Sequence, residues 1–388
     1  MYPDRPESAI DLVPLPRCNG PKLEPFDFQG TQKIDFVEHI GEGGHSHVFK
    51  VKISSQVYAL KLFRFVYDHN WLSPQNEANF NNHEAISASY EYAEPFNCEC
   101  RAFGRLQEAG HEELATKCFG YILLDDEHED IMMKQFSHLK LDFNGDGDDP
   151  GYFDMRSRFL GKHGRLPPIR GIVKEFGQAD QDLQNRGAKR ILKDIMHIQQ
   201  LGIVNMDVAH RQIISGKVSD FSTAVTVPHF ITNPELNPHL TPEWVSTMEM
   251  ETFILSYKDY RDFDMMVDEW NDEHEKKVTV EALPGGFDCS TKHHLRNTPS
   301  RERVYSYVDP RSYKQYISGT GHQKRVKDKE KHRAGVVKSQ RRRLAMKPPL
   351  WFSNCDAPTA EKLKRLRCLE YCIIWQYVDG HIAPLRVY

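Results

Sequence analysis

Alternating apolar and polar positions between residues 34 and 63 predict β-strands. Phe49, Val51 and Ile53 alternate with lysines, which is the period of a half-buried strand. Further apolar runs predict three more strands: Ile34–Ile40, Val57–Phe63 and Ile169–Phe176. These runs therefore indicate a strand-rich region.

Apolar residues at helical spacing predict two helices farther along. The first stripe consists of Phe96, Cys100, Phe103 and Leu106. The second, Ile191, Ile195 and Ile198, shares one helix face, and Gly202 is a residue that commonly ends a helix. From about residue 177 to 265 we expect mostly helix, apart from the loops that carry candidate functional residues.

A last stripe predicts a helix from Thr359 to Val378. Its apolar members are Leu363, Leu366, Leu369, Ile373 and Tyr377. Basic residues lie outside the stripe, so the helix would be amphipathic. Two roles stay open for its apolar face: docking on the rest of the protein, or contact with a partner protein.

Composition sets bounds on the protein class. The chain has 388 residues, enough for one two-part domain with an extension. A net charge of −4 indicates no polyelectrolyte partner for the whole chain, and a hydrophobic share of 39% predicts irregular segments. The eight cysteines form no C-x-x-C pair, which favours a reducing, intracellular setting and argues against zinc.

No targeting or membrane segment is evident. The first residues include acids and prolines and lack a basic stretch followed by an apolar core. The longest apolar stretch, Tyr371–Val378, is too short to span a bilayer. We therefore expect a soluble protein with no membrane partner.

Two segments interrupt the regular pattern. Residues 1–22 are rich in proline and predict a flexible leader. Residues 142–154 form an acidic insertion in which Asp142, Asn144 and Asp146 match the first half of a calcium-binding EF-hand loop. Phe153 stands where that loop requires a glutamate, so a solvated, turn-rich loop is favoured over a calcium site.

The region from 266 to 347 is rich in charge. Residues 266–320 show no clear periodicity, and residues 322–347 are strongly basic, with only Asp328 and Glu330 as acids. The basic run has no aromatic residue, so base stacking is not its mechanism. Contact with DNA phosphates, binding of an import receptor and a plain solvated linker all fit it.

A glycine turn follows the first predicted strand. The pattern G-x-G-x-x-G-x-V is met at Gly41, Gly43 and Val48, while Ser46 replaces the third glycine. Such a turn lets backbone N–H groups approach nucleotide phosphates. An ordinary hairpin is the alternative and, for this motif alone, the favoured one.

A lysine in the middle of a predicted apolar strand needs a partner, because a buried unpaired charge is costly. Lys61 is that lysine, and Ala59 on the same strand face leaves room for a flat base. Glu99 on the following helix is the candidate partner. The alternative for Glu99 is a solvated helix charge.

Three polar residues follow the second helix, and each carries a group that phosphoryl transfer can use. Asp207 could orient or deprotonate a hydroxyl group. Gln212, five residues later, offers an amide oxygen as a magnesium ligand, although its side chain is long for the near-octahedral geometry that magnesium requires. Asp220, after a short turn centred on Gly216, is the expected main magnesium ligand.

Taken together, these motifs resemble the protein-kinase-like superfamily. The stretch from Leu23 to Ala224 is similar, more closely, to the fungal kinase-like kinetochore subunit family, the Fta-two family of the Sim-four complex. The phrases that carry this resemblance are Leu23–Gly30, Val48–Val51, Tyr58–Phe63 and Glu99–Leu106.

The resemblance implies an α+β, two-lobed protein-kinase-like fold with an antiparallel-sheet small lobe, a mostly helical large lobe and a C-terminal extension. The implied segments are the leader 1–22, the small lobe and hinge 23–176, the large lobe 177–265, a charged, partly disordered segment 266–347 and a helix with tail 348–388. It also implies ATP and Mg²⁺ as cofactors, kinetochore proteins as partners and a nuclear location, with the cytoplasm as the alternative.

The resemblance also implies roles for individual residues. The catalytic residues would be Asp207, Lys61 and Glu99. The nucleotide contacts would be Gly41, Gly43, Ser46, Val48, Ala59, Lys61 and Glu175. The magnesium ligands would be Asp220 and Gln212.

Departures from the kinase pattern weaken the expectation of catalysis. The catalytic-loop H-R-D is Asn205-Met206-Asp207, Ala209 replaces a lysine, and D-F-G is Asp220-Phe221-Ser222. Thr241-Pro242-Glu243 fits either the end of an activation segment or a helix start. Two hypotheses result: a nucleotide-binding kinetochore subunit with weak or absent Ser/Thr phosphotransfer, or an active atypical ATP- and Mg-dependent protein kinase.

Overall fold

The computed structural model describes residues 4–8, 11–66, 89–145, 155–179, 182–238, 242–282, 302–312, 344, 350–356, 373–378 and 381–387. The chain divides into two compact units. Unit 1 comprises Met1–Arg105, Ala115–Gln178 and Phe221–Thr223. Unit 2 comprises Leu106–Leu114, Ala179–Asp220 and Ala224–Tyr388.

Unit 1 is built on a five-stranded antiparallel sheet, which confirms an α+β fold. The strands are β1 (Asp35–Gly43), β2 (Ser46–Ile53), β3 (Gln56–Phe63), β4 (Cys118–Leu123) and β5 (Arg170–Glu175). Their order is β1-β2-β3-β5-β4, and each neighbouring pair is antiparallel. The four predicted strands are present, and β4 is an additional one.

The alternating pattern of β2 builds the core on one face of this sheet. Phe49, Val51 and Ile53 are buried, while Lys50 and Lys52 are partly or fully exposed. Phe49 meets Phe36 edge-on, with 5.6 Å between ring centroids. Each such buried aromatic side chain contributes about 2–3 kcal/mol of hydrophobic stabilisation.

Two helices accompany the sheet. Helix α1 (Pro95–Ala109) buries the predicted stripe, and helix α2 (Asp126–Gln135) places Met132 in the core. The side chain of Asp125 accepts a hydrogen bond from the His128 N–H and so caps the start of α2. Residues 89–93, before α1, are also helical.

Part of the expected flexible leader packs within unit 1. Leu15 is buried and exchanges two backbone hydrogen bonds with Leu23. The guanidinium of Arg101 donates to the carbonyl oxygen of Asn19 at 2.8 Å. Apolar Leu15 and these backbone contacts fix the segment, an effect that its proline content did not reveal.

Helix α3 (Asn185–Gln200) lies in unit 2 and buries the predicted isoleucine stripe. Gly202 has φ 76° and follows the end of the helix, as expected. Two short strand pairs follow: β6 (Ile203–Val204) with β9 (Val225–Thr226), and β7 (Ile213–Ile214) with β8 (Lys217–Val218). Ser215 and Gly216 both have positive φ and form the predicted turn.

Helix α4 (Pro242–Glu273) is the longest helix described. Its first residue is Pro242, as the helix-start interpretation expects, and the activation-segment interpretation stays a prediction. The helix extends into the region that sequence patterns left without periodicity. Among the described residues, no helix is long and apolar enough to cross a lipid bilayer.

The last four strands of unit 2 form a second sheet. Its strands are β10 (Glu302–Val308), β11 (Leu350–Asp356), β12 (Ile373–Val378) and β13 (His381–Val387), in the order β10-β11-β13-β12. The sequence patterns predicted none of these four strands.

The helix predicted from Thr359 to Val378 is wrong for its described part, because Ile373–Val378 is a strand. Isoleucine, tryptophan, tyrosine and valine dominate that stretch, and these residues favour strands. Residues 357–372, which hold the rest of the predicted stripe, lie outside the described residues. The basic run 322–347 lies outside them too, apart from residue 344.

The acidic insertion begins with a turn. The Asp142 carboxylate accepts hydrogen bonds from the N–H groups of Asn144 and Gly145, each at 3.1 Å. This local use of the carboxylate fits the favoured turn-rich loop. Residues 146–154 lie outside the described part of the chain.

We expect Gly104→Ala to destabilise unit 1 by about 1–3 kcal/mol. A Cβ at Gly104 would collide with the backbone of Lys22, whose carbonyl oxygen and nitrogen face it. The gain in helix propensity, about 1 kcal/mol, is too small to offset that overlap. Chemical unfolding of the full chain measures the difference.

Gly187→Ala in α3 is the matched control, because a Cβ there meets no atom within 4 Å. It should leave stability unchanged or raise it by up to about 1 kcal/mol. Equal effects of the two substitutions would contradict the packing argument.

Candidate functional site

A single buried carboxylate links the first helix of unit 1 to its sheet. Glu99 accepts a hydrogen bond from Lys61 Nζ at 2.6 Å through Oε2. Its other oxygen, Oε1, accepts one from Lys174 Nζ at 2.9 Å. All three side chains are buried, so the Lys61–Glu99 ion pair predicted from the sequence is present, and the solvated alternative for Glu99 is wrong.

The register of the sheet explains the second lysine. Lys61 on β3 stands opposite Ile172 on β5, and Ala59 stands opposite Lys174. Residues two apart on a strand share a face, so both ammonium groups project to the side from which Glu99 approaches. Sequence reasoning missed Lys174, although a lysine within an apolar strand is the same signal that singled out Lys61.

The glycine turn connects β1 and β2. Gly41 pairs with Val48 and Gly43 with Ser46, which leaves Gly44 and His45 as the turn. A Cβ at Gly41 or Gly43 would meet no atom within 4 Å. The predicted hairpin is therefore present and open on its glycine side, and nucleotide contact by these residues stays a prediction.

Residues 221–223 return the chain to unit 1 beside this turn. The ring of His45 contacts the Ser222 hydroxyl, with Nδ1 and Oγ 3.2 Å apart. Phe221 is fully buried and meets Phe103 of α1 edge-on at 5.3 Å. Phe221 is thus anchored to the helix that carries Glu99.

The backbone N–H group of Glu175, one of the predicted nucleotide contacts, is already engaged. Glu175 is the last residue of β5, and its N–H donates to the Lys117 carbonyl oxygen at 2.8 Å. That N–H group is therefore not available to a base edge in this conformation.

In unit 2, Asp207 and Gln212 are brought together. Oδ2 of Asp207 accepts hydrogen bonds from Gln212 Nε2 at 2.6 Å and from Arg211 Nη2 at 2.8 Å. The carboxylate fixes the orientation of the Gln212 amide, because two oxygens facing each other would repel. The Oε1 atom of Gln212 is buried and has no hydrogen-bond partner among the described residues.

A residue that sequence reasoning missed holds the backbone of this loop. Asp259 on α4 accepts hydrogen bonds from the N–H groups of Asn205 and Met206, at 3.0 and 2.8 Å. Gln199 donates to the same carboxylate at 2.9 Å. Met206 has φ 72°, an unfavourable conformation for its side chain, so the loop backbone needs this external support.

Burial raises the pKa of Asp259 to about 6, although its hydrogen bonds favour the charged form. Lys258, the preceding residue, donates to the Met206 carbonyl oxygen at 2.8 Å. The two neighbours on α4 therefore satisfy both backbone groups of Met206. The same helix face also carries Ser256 and Asp262, so the sequence pattern did not single out Asp259.

The comparison with known families now adds a biological context. The sequence model of the family described as kinetochore Sim4 complex subunit FTA2 matches residues 12–225, more than half of the chain. The chain belongs to the FTA2 family. None of the curated proteins compared with the chain matches it.

The FTA2 match covers the predicted site residues of both units, from Gly41 to Asp220. It ends before α4 and the second sheet, so Asp259 lies outside it. Membership in the FTA2 family supports association with the kinetochore and therefore a nuclear location.

We expect Glu99→Gln to lower the free energy of unfolding by about 3–5 kcal/mol, because it leaves two buried ammonium groups without their carboxylate. Glu108→Gln on the same helix is the control, since Glu108 is exposed. That change should stay within about 0.5 kcal/mol. Urea unfolding of both variants provides the comparison, and a small loss for Glu99→Gln would refute the buried ion pair.

The raised pKa of Asp259 predicts a pH dependence. Unfolded aspartate titrates near 4, so between about pH 4 and 6 the folded state holds a proton that the unfolded state has released. The free energy of unfolding should therefore fall as pH rises through this window, by up to about 3 kcal/mol for this group.

Asp259→Asn should remove that fall, whereas Asp272→Asn, at an exposed position on the same helix, should preserve it. Unfolding curves at several pH values between 4 and 7 measure the slopes. Identical slopes for the wild-type chain and Asp259→Asn would show that Asp259 is not the group responsible.

Proposed function

We propose that this FTA2-family chain is a kinetochore subunit that binds a magnesium nucleotide and has weak or absent phosphotransfer activity. The buried pairing of Glu99 with Lys61 is the chief support. A lysine fixed by a carboxylate is a point charge suited to nucleotide phosphates. Lys174 shares the carboxylate, so the arrangement would persist while Lys61 binds a phosphate.

Gln212 supports the cation part of the proposal. Its amide nitrogen is used by Asp207, and its buried oxygen lacks a hydrogen-bond partner among the described residues. Magnesium prefers oxygen ligands and lacks any affinity for the amide nitrogen. Gln212 Oε1 and the Asp220 carboxylate would hold the ion, which would neutralise phosphate charge.

The surroundings of Asp207 support weak or absent transfer. Its Oδ2 atom already accepts two hydrogen bonds, from Arg211 and Gln212. An oxygen engaged in this way is poorly prepared to take a proton from an attacking hydroxyl. The replacement of the usual catalytic-loop arginine by Met206 and of a lysine by Ala209 fits the same conclusion.

Within the kinetochore, the chain would act mainly by assembling with other proteins of the Sim4 complex, as its family description indicates. Nucleotide binding would then regulate that subunit. The basic run 322–347 would add contact with DNA phosphates or with an import receptor.

We expect millimolar Mg-ATP to raise the melting temperature of the full chain by several degrees. Binding to the folded state alone adds about 2.7 kcal/mol at a hundred times the dissociation constant. Lys61→Met and Asp220→Asn should abolish the rise. Lys52→Met is the matched control on the adjacent strand, because Lys52 is exposed.

A rise that survives Lys61→Met, or no rise at all, would refute the nucleotide proposal. Weak or absent phosphotransfer is tested by measuring the transfer of radioactive phosphate from ATP to a broad set of protein substrates. Transfer well above that of Asp220→Asn would show an active kinase instead. Kinetochore association is tested separately, by following the tagged wild-type chain and Lys61→Met in dividing cells.

A further inference from the structure

A cluster of three metal-ligating side chains lies on the β1–β2 hairpin, outside the residues discussed so far. His39, Glu42 and His47 each direct one ligand atom into the cluster, and these atoms lie within 4.8 Å of one another. His47 is fully buried, His39 is half-buried and Glu42 is exposed. The cluster therefore has a fixed base and an open side.

The distances already approach those of a coordinated ion. His39 Nε2 and His47 Nδ1 are 3.2 Å apart, and His47 Nδ1 and Glu42 Oε2 are 3.6 Å apart. Ligand atoms of a tetrahedral zinc ion with bonds of about 2.0–2.1 Å are separated by about 3.3 Å. Small side-chain movements would therefore suffice to bind the ion.

An irregularity in β1 brings the ligands to one side of the sheet. His39 and Glu42 are three residues apart, so a regular strand would direct them to opposite faces. The register shifts between His39 and Gly41, as in a β-bulge, and this change reverses the alternation. Glu42 then stands directly opposite His47.

We propose that His39 Nε2, His47 Nδ1 and the Glu42 carboxylate bind a Zn²⁺ ion. Two imidazoles and one carboxylate are a common zinc ligand set, and the fourth position would hold water or a group from a partner. The cysteine spacing had argued against zinc, but this site uses no cysteine.

Arg64 provides a way to distinguish a metal site from a hydrogen-bonded cluster by experiment. Its guanidinium donates to His47 Nε2, with Nη2 3.0 Å away, and lies 3.6 Å from Glu42 Oε2. When a metal occupies Nδ1, Nε2 must carry the proton, and Arg64 can no longer donate to it. Arg64 therefore competes with the metal.

This competition separates a zinc site from a hydrogen-bonded cluster that only stabilises the hairpin. Glutamine at position 64 could accept the Nε2–H with its side-chain oxygen and would remove a positive charge. Arg64→Gln should therefore bind Zn²⁺ more tightly than the wild type. A purely structural cluster would only lose stability in that variant.

The test is a titration of the chelator-treated full chain with Co²⁺, followed by displacement with Zn²⁺. Four-coordinate Co²⁺ absorbs strongly in the visible range, so the spectrum reports geometry as well as affinity. We expect one ion per chain, weakened at least about tenfold by His39→Ala and by Glu42→Gln. Neither side chain is fully buried, so both variants should fold.

His138→Ala, at an exposed position of the same unit, should leave the affinity unchanged. Arg64→Gln should tighten binding severalfold. Absence of saturable binding, unchanged affinity in His39→Ala and Glu42→Gln, or a thiolate charge-transfer band that assigns the ion to cysteine would each overturn the proposal. None of these measurements depends on nucleotide binding.

Discussion

The carboxylate of Glu99 is the constraint on which unit 1 depends. A buried charge is tolerated only when its partners are close and well oriented, and here each oxygen has its own ammonium group. The two lysines come from adjacent strands and the glutamate comes from helix α1. The three charges therefore fix the position of the helix on the sheet more strictly than apolar packing, which tolerates small shifts.

Unit 2 uses the same chemistry with different donors. The Asp259 carboxylate receives two backbone N–H groups and the amide of Gln199. Buried backbone donors need acceptors, and the unfavourable conformation of Met206 leaves its loop without a regular ladder to supply them. In both units a helix thus supplies a buried carboxylate to a polypeptide segment that carries candidate functional residues.

Local sequence patterns predicted the parts of this arrangement that depend on neighbours along the chain. The alternation of apolar and polar residues predicted β2, and a lysine in an apolar strand predicted the pair of Lys61 and Glu99. Lys174 was missed because its role depends on the register between β3 and β5. Asp259 was missed because its hydrogen-bond partners Asn205 and Met206 are more than fifty residues away in the sequence.

Two other differences between the sequence predictions and the structure have local physical causes. The apolar residues of Ile373–Val378 fit both the helical and the strand period. Their β-branched and aromatic side chains favour the strand. His39 and Glu42 stand at an odd spacing that assigns them to opposite faces of a regular strand. They lie together because of the register shift in β1, which the residue pattern did not predict.

The strand order of the second sheet has a consequence for biosynthesis. β13 is the last of its four strands in the sequence but lies inside the sheet, between β11 and β12. While the ribosome is still making residues 381–387, β12 has no neighbour in this sheet and β11 has an open edge. The nascent chain therefore carries unpaired strand edges until this segment emerges, and such edges favour aggregation.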